Sequence, residues 1–284
     1  MMSSLNKLED QRAAITRAMS PSDSLVLVSQ TGAVRELSLN RPAALNSFTA
    51  AMHGVLLDEL DAAANDVDVR CVVISGSGRG FCAGQDLNEP GMTPIDGQAP
   101  DIGAVIERHY LPLALRLQSM PVPLIAAVNG VAAGAGANLA LNCDMVVAGR
   151  SASFIQAFAK IGLVPDCGGT WLLPRLVGRA RAIGLAFLGD KLSADEAQRI
   201  GLIWQCVDDA DLASTVQALA QRLAAMPARA LVGIRKTFDA AQRLDYDAAL
   251  RNEADVQREL GRSRDYAEGV SAFQAKRPAR FTDR

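Results

Sequence analysis

The sequence predicts an α/β fold built from stacked strand and helix units, followed by a region of helices alone. Short apolar runs that suit strands alternate with segments of helical periodicity over residues 24–208. Two of these strands lead directly into glycine-rich segments, as strand-to-helix turns often do. After Asp208 the strand-like runs stop and helical periodicity continues alone.

These shifts divide the chain into three parts. Residues 1–23 are polar and mixed in charge, which predicts an N-terminal arm outside the core. Residues 24–210 form the predicted α/β core, and residues 211–284 form a predicted helical C-terminal domain.

The core begins with a predicted β-hairpin, in which residues 25–28 and 34–39 are strands around a turn at residues 31–32. Apolar residues then recur at helical spacing over residues 49–65, ahead of a strand at 71–75. Residues 88–104 are rich in Pro, Gly and Asp and predict a mobile loop over the site. The further predicted strands are 123–128 and 145–148, and the further helices are 106–118, one from 135, 212–226, 229–244 and 246–261.

Composition excludes several classes of function. The 29 basic and 31 acidic residues give a formal net charge of −2, so no overall field recruits nucleic acid or an anionic membrane. No stretch approaches the roughly 18 apolar residues of a membrane span, and no signal peptide is evident, so we expect a cytoplasmic protein. The five cysteines form no CxxC pair and only two histidines occur, which predicts reduced, mostly buried thiols and no metal site.

Two glycine-rich segments are candidates for binding an anion. Residues 78–88 (GRGFCAGQDLN) follow one strand, and residues 129–138 (NGVAAGAGAN) lie between a strand and a helix. Either segment alone is more typical of tight packing, but two sets of peptide N–H groups could form an oxyanion hole. Neither segment has the pattern of a P-loop or of a dinucleotide fingerprint.

Asp166 is the candidate acid or base. It lies in residues 162–171 (GLVPDCGGTW), among Pro, Gly and apolar neighbours that would desolvate its carboxylate and raise its pKa. The alternative is that Asp166 only caps the helix that begins near Gly168.

Together these segments resemble the crotonase superfamily of coenzyme A thioester enzymes, and the resemblance runs from Ser24 to Arg284. It implies a spiral of ββα units, a helical C-terminal region that assembles a homotrimer or a dimer of trimers, and an acyl-CoA substrate without a further cofactor. By position, it assigns the oxyanion-hole N–H donors to Ala83 and Ala135. The other coenzyme A and substrate contacts that it implies are Ala83, Gly84, Gln85, Asp86, Gly134, Phe158, Phe273 and Lys276.

Hydratases of this superfamily use two glutamates, and this sequence has Asn138 and Phe158 at those positions. Hydration needs two positioned carboxylates, whereas a 1,3-proton shift needs one shuttling base. The resemblance therefore implies an isomerase in which Asp166 is the acid and base. The motifs are most similar to those of isomerases that convert a ring-epoxide phenylacetyl-CoA to an oxepin thioester.

Three other functions stay open at this level. A 3,2-trans-enoyl-CoA isomerase would use the same residues. Its fatty acyl substrate would need a long tunnel, whereas an aryl substrate would need a broad slot near Phe158, Trp171 and the 88–104 loop. A dehalogenase would need a histidine, and only His53 and His109 are available. A non-enzymatic protein that binds acyl-CoA or RNA is the third alternative, although balanced charge and 5% aromatic residues disfavour RNA.

Overall fold

The computed structural model describes residues 24–94 and 97–284, and the predicted N-terminal arm lies outside them. Its larger sheet has six strands in the order β1-β2-β3-β5-β7-β10. The first pair is the predicted antiparallel hairpin, and all other neighbours are parallel. The six strands are β1 Val26–Thr31, β2 Val34–Leu39, β3 Cys71–Gly76, β5 Leu124–Val128, β7 Met145–Gly149 and β10 Gln205–Val207.

A second sheet of four short strands has the order β4-β6-β8-β9. These strands are β4 Gly80–Cys82, β6 Val131–Ala133, β8 Ser153–Ile155 and β9 Leu192–Ser193. Three successive turns of the chain, which begin at β3, β5 and β7, therefore give one strand to the large sheet, the next strand to the small sheet, and then a helix. This is the spiral of ββα units that the resemblance implies.

The helices lie between and after these turns. Thr49 begins the first helix, because its side chain accepts a hydrogen bond from the Met52 N–H. Residues 102–119 form one continuous helical stretch whose middle turn, Ile106–Tyr110, is a π-helix. The α-helices are α1 Ala50–Asn65, α2 Ile102–Val105, α3 Leu111–Ser119, α4 Ala135–Leu141, α5 Gly169–Leu188, α6 Ala194–Arg199, α7 Leu212–Ala224, α8 Ala228–Ala241, α9 Tyr246–Leu260 and α10 Arg264–Gln274.

The main hydrophobic core lies between the sheets and the helices of the spiral, and a smaller core forms where α7 packs on the outer face of the large sheet. An ion pair also attaches the helical region to the spiral. The Arg235 guanidinium on α8 contacts both carboxylate oxygens of Asp144 and donates to the carbonyl oxygens of Gln118, Met120 and Val122.

Several predicted boundaries need correction. The helix predicted to start at residue 106 begins at Ile102, so the end of the 88–104 segment is helical rather than loop. The helices α6 and α10 and the short strands β4, β6, β8, β9 and β10 have no counterpart among the elements predicted from periodicity. The five cysteines are free thiols, and all except Cys206 are buried, as predicted.

Candidate functional site

A cavity of about 160 Å³ lies where the two glycine-rich segments, the Asp166 segment and the 102–110 helix meet. Three of its lining residues have polar side chains, namely Gln85, Tyr110 and Asp166. The remaining lining is apolar or glycine. These residues are Ala83, Gly84, Leu87, Met92, Ile102, Val105, Ile106, Gly134, Ala135, Ala157, Phe158, Ile161 and Leu163.

The geometry of this segment favours the N–H of Gln85, rather than the predicted N–H of Ala83, as a candidate oxyanion donor. The Ala83 N–H donates to the Leu45 carbonyl oxygen over 2.9 Å, so it is already used. The next residues form a parallel bridge with Phe48, which donates to the Gly84 carbonyl oxygen over 2.7 Å. Because successive peptide groups of an extended chain point to opposite sides, the Gln85 N–H points away from Phe48.

Ala135 fits the second donor position. It is the first residue of α4, where a peptide N–H has no partner inside the helix. A Cβ atom on Gly84 would lie 3.5 Å from the Ala135 nitrogen and 2.8 Å from the Ala133 carbonyl oxygen. The two segments are therefore in direct contact, and Gly84, with φ of +90°, can take no side chain without disturbing them.

Asp166 lines the cavity and does not cap a helix. The N-cap of α5 is Gly168, which makes no side-chain capping hydrogen bond, so the capping alternative is wrong. The Asp166 backbone carbonyl instead accepts hydrogen bonds from the Gly169 N–H and from the Asn138 Nδ2, at 2.8 and 2.9 Å. One carboxylate oxygen, Oδ1, is buried without a hydrogen-bond partner in the described protein.

Burial raises the pKa of the Asp166 carboxyl from 3.8 to about 6. Within the described part of the chain, no cationic side chain lines the cavity to offset this effect. The carboxyl can therefore both accept and release a proton near neutral pH, as a shuttling acid and base must.

Asn138 and Phe158 do not supply a second acid. Asn138 is fully buried, and its Oδ1 accepts from the Gln156 Nε2 over 2.9 Å while its Nδ2 holds the Asp166 carbonyl. Phe158 is buried and packs beside Gly134 at the cavity wall. Asn138 thus supports the Asp166 backbone, and Phe158 gives the cavity an apolar wall.

The two histidines stack beside the cavity but do not line it. His53 is buried between the Phe48 ring at 4.4 Å and the His109 ring at 5.5 Å. Burial, followed by the nearby His109, lowers the pKa of His53 to about 3, so its imidazole is neutral. This arrangement gives no histidine facing Asp166, and the dehalogenase alternative loses support.

Trp171, Phe273 and Lys276 do not line the cavity within the described residues. Trp171 lines a separate groove against α8, with the Arg175 guanidinium 4.3 Å from its ring, so its predicted place in the slot wall is wrong. Phe273 is 85% exposed on α10, and Lys276 follows that helix on the surface. Neither side chain lines the cavity within the described protomer.

Tyr110 is a polar residue of the cavity that was not among the predicted site residues. Its hydroxyl donates to the Gln85 Oε1 over 2.7 Å, and its ring is almost fully buried. The π-helical turn that ends at Tyr110 produces no periodicity in the sequence, so the sequence does not show that this side chain faces the cavity.

The profile of the enoyl-CoA hydratase/isomerase family matches residues 29–284. The chain belongs to this family. It is 55% identical over 249 residues to a 1,2-epoxyphenylacetyl-CoA isomerase of Escherichia coli (strain K12), covering 88% of this chain and 95% of that protein. It is also 47% identical over 250 residues to a Rhodobacter capsulatus protein named "Probable enoyl-CoA hydratase", covering 87% and 94% of the two chains.

Solved structures of the family share the fold. An enoyl-CoA hydratase of Mycobacterium smegmatis superimposes with a TM-score of 0.83 at 30% identity, over 91% of this chain and 99% of that one. Within residues 24–94 and 97–284, no helix has the length and apolar character needed to cross a bilayer.

Proposed function

We propose that this protein is an acyl-CoA isomerase that converts 2-(1,2-epoxy-1,2-dihydrophenyl)acetyl-CoA to the oxepin thioester in phenylacetate catabolism. One observation carries the proposal: among the described residues, Asp166 is the single acidic one lining an otherwise mainly apolar cavity, and its pKa is raised to about 6. The identity to the E. coli isomerase supports the choice of substrate.

The proposed mechanism begins at the thioester carbonyl. The peptide N–H groups of Gln85 and Ala135 bind its oxygen and stabilise the enolate charge, and loss of one such donor typically costs about 2.7–4 kcal/mol. Asp166 removes a proton from the carbon beside the carbonyl and returns it to the conjugated system. The oxepin forms when the carbon–carbon bond shared by the epoxide and the six-membered ring breaks and its electrons move into the adjacent double bonds, while both carbon–oxygen bonds are kept. The proton shift then brings a double bond into conjugation with the thioester, and no atom is gained or lost.

The same cavity disfavours hydration. Addition of water needs one group to deprotonate water and another to deliver a proton. Asn138 is already hydrogen-bonded on both ends of its amide, and Phe158 offers no proton. A single carboxyl remains among the described lining residues, which suffices for moving a proton between two carbon atoms.

Cavity size favours an aryl over a long fatty acyl group. An apolar cavity of about 150 Å³ can hold benzene. The cavity beside Asp166 has a volume of about 160 Å³, which matches one six-membered ring. The 3,2-trans-enoyl-CoA isomerase reading would need a longer channel.

The coenzyme A contacts extend the proposal beyond the cavity. We propose that residues 83–86 contact the adenine of coenzyme A, with the Arg41 guanidinium holding the Asp86 carboxylate at 2.9 Å. Phe273 and Lys276 are proposed to contact the nucleotide in the assembled protein. Ile234 and Phe238 are exposed on α8 and line the same groove, which supports a homotrimer or a dimer of trimers, since exposed apolar patches mark interfaces.

The test compares turnover of the ring-epoxide thioester, a 3-enoyl-CoA and crotonyl-CoA, followed by mass spectrometry and ultraviolet absorbance. We expect fast conversion of the epoxide without a change of mass, and little hydration of crotonyl-CoA. Asp166→Asn should bind coenzyme A thioesters but lose turnover by orders of magnitude. Brisk hydration, or a nearly active Asp166→Asn variant, would overturn the proposal.

A further inference from the structure

A hydrogen-bonded pair of side chains forms a polar spot in the wall of the apolar cavity. The Tyr110 hydroxyl donates to the Gln85 Oε1 over 2.7 Å, and both residues line the cavity with Asp166. The neighbouring wall is formed by aliphatic side chains, including Ile106 and Leu87. Burying polar side chains in such surroundings costs free energy, because they lose their hydrogen bonds to water. If these two residues only filled space, apolar residues would do so at a lower cost.

The pair is not needed to hold the backbone of the oxyanion hole. Phe48 already fixes that backbone on both sides of Gln85, through hydrogen bonds of 2.7 Å to the Gly84 carbonyl oxygen and of 2.9 Å from the Asp86 N–H. The Gln85 side chain could therefore point elsewhere without loss of the N–H geometry. Its attachment to Tyr110 needs another explanation.

Tyr110 is itself held firmly at the cavity. Its ring meets the His53 ring edge-on at 4.3 Å, and it ends the π-helical turn Ile106–Tyr110. Such turns are rare and occur frequently at functional sites. The hydroxyl is thus presented to the cavity by a buried ring that has little freedom to move.

The pair can still donate a hydrogen bond to a ligand. The Gln85 Nε2 has one long contact, 3.3 Å to the Asp86 carbonyl oxygen, although an amide nitrogen carries two N–H donors. The Tyr110 hydroxyl stays protonated, because burial and the nearby Asp166 charge raise its pKa above its usual range. The opposite polar group, Asp166, is an anion when it acts as a base and would repel a ligand oxygen.

We propose that Tyr110 and Gln85 recognise an oxygen atom carried by the acyl group beyond the thioester, and so select oxygenated aryl-CoA substrates over hydrocarbon ones. This inference rests on the proposed function, in which that atom is the ring-epoxide oxygen. It adds a specificity determinant that is separate from the N–H donors and from the base.

The test measures binding, so that it does not depend on turnover. Dissociation constants are determined by calorimetry for phenylacetyl-CoA and 2-hydroxyphenylacetyl-CoA, which differ by one ring oxygen. We expect the full-length protein to bind the hydroxylated thioester more tightly, and Tyr110→Phe to reduce that preference by about 10-fold, the effect of one hydrogen bond. Gln85→Met should give the same loss, and the double variant should lose no more than either single one.

Tyr246→Phe is the matched control, because the same hydroxyl is removed from a tyrosine that is 81% exposed on α9. The inference is overturned if the full-length protein shows no preference, or if Tyr110→Phe weakens both thioesters by one common factor. Turnover of the epoxide separates the two ideas. A retained preference without epoxide turnover refutes the proposed function alone, whereas turnover with an unchanged preference in Tyr110→Phe refutes the recognition alone.

Discussion

Replacing Asp166 by asparagine should stabilise the protein at neutral pH while removing its proposed base. Burial raises the pKa of this carboxyl from 3.8 to about 6, so the folded protein holds the proton more tightly than the unfolded chain does. At a pH between these two pKa values, the Asp166 carboxyl is protonated in the folded state and ionised in the unfolded state. The free energy of unfolding therefore falls as pH rises, and the loss is complete above about pH 6.

The size of the effect follows from the shift of the pKa. Each unit corresponds to about 1.36 kcal/mol, so a shift of roughly two units sets an upper value of ~3 kcal/mol. Asparagine does not titrate and keeps a similar shape. The stability of Asp166→Asn relative to the unmodified protein should thus increase by as much as this value between pH 4 and pH 7.

Urea unfolding at a fixed protein concentration, repeated at several pH values, measures this difference. Asp58→Asn serves as the control, because Asp58 is exposed on α1, and its effect should stay within about 0.5 kcal/mol at every pH. If the stability difference of Asp166→Asn is constant with pH, or falls as pH rises, the carboxyl is not desolvated and the argument for its role as a base fails.

Three further predictions concern activity and stability. The kcat/KM of the isomerisation should fall about tenfold per pH unit below the raised pKa of the proposed base, and a flat profile down to pH 5 would contradict it. Gly84→Ala should lower kcat by about 10²-fold or more, because the new Cβ would lie 2.8 Å from the Ala133 carbonyl oxygen, whereas Gly54→Ala in open space on α1 should be active and about 0.5–1 kcal/mol more stable. Arg235→Met should lower the free energy of unfolding in urea by about 2–3 kcal/mol, because it leaves Asp144 without its cation and removes the Arg235 donor from three carbonyl groups. A loss below about 0.5 kcal/mol would contradict that role.

Periodicity predicted most of the larger elements well. Strands such as β5, in which all five residues are buried, and helices such as α1, with its Thr49 cap, have strong local signals. The strands β4, β6 and β8 have three residues each, which is too short for any alternation to show. The resemblance to a family, and not the pattern, implied the two-strand turns of the spiral.

The place of Asp166 in the cavity could be anticipated from side-chain chemistry, whereas the choice between Ala83 and Gln85 depends on the direction of the backbone. Asp166 is recognisable because a carboxylate among apolar and glycine residues is unusual. Ala83 and Gln85 differ in which side of the chain their N–H groups face, and that depends on the bridge to Phe48, far away in the sequence. Trp171 likewise stands close to Asp166 in sequence but faces a groove against α8.

Glycines in the two glycine-rich segments are required by the packing of the backbone, independently of the reaction. A Cβ atom at Gly136 would collide with the Cys82 carbonyl oxygen, and one at Gly130 would collide with that of Arg79. Successive coils of the spiral therefore touch through bare backbone at these points. Such positions tolerate almost no substitution whatever the enzyme catalyses, while Phe158 and Asp166 line the cavity with side chains that can change with the chemistry. Catalytic diversification on this scaffold can thus proceed by exchanging a few side chains, and shared glycine motifs identify common ancestry without identifying a common reaction.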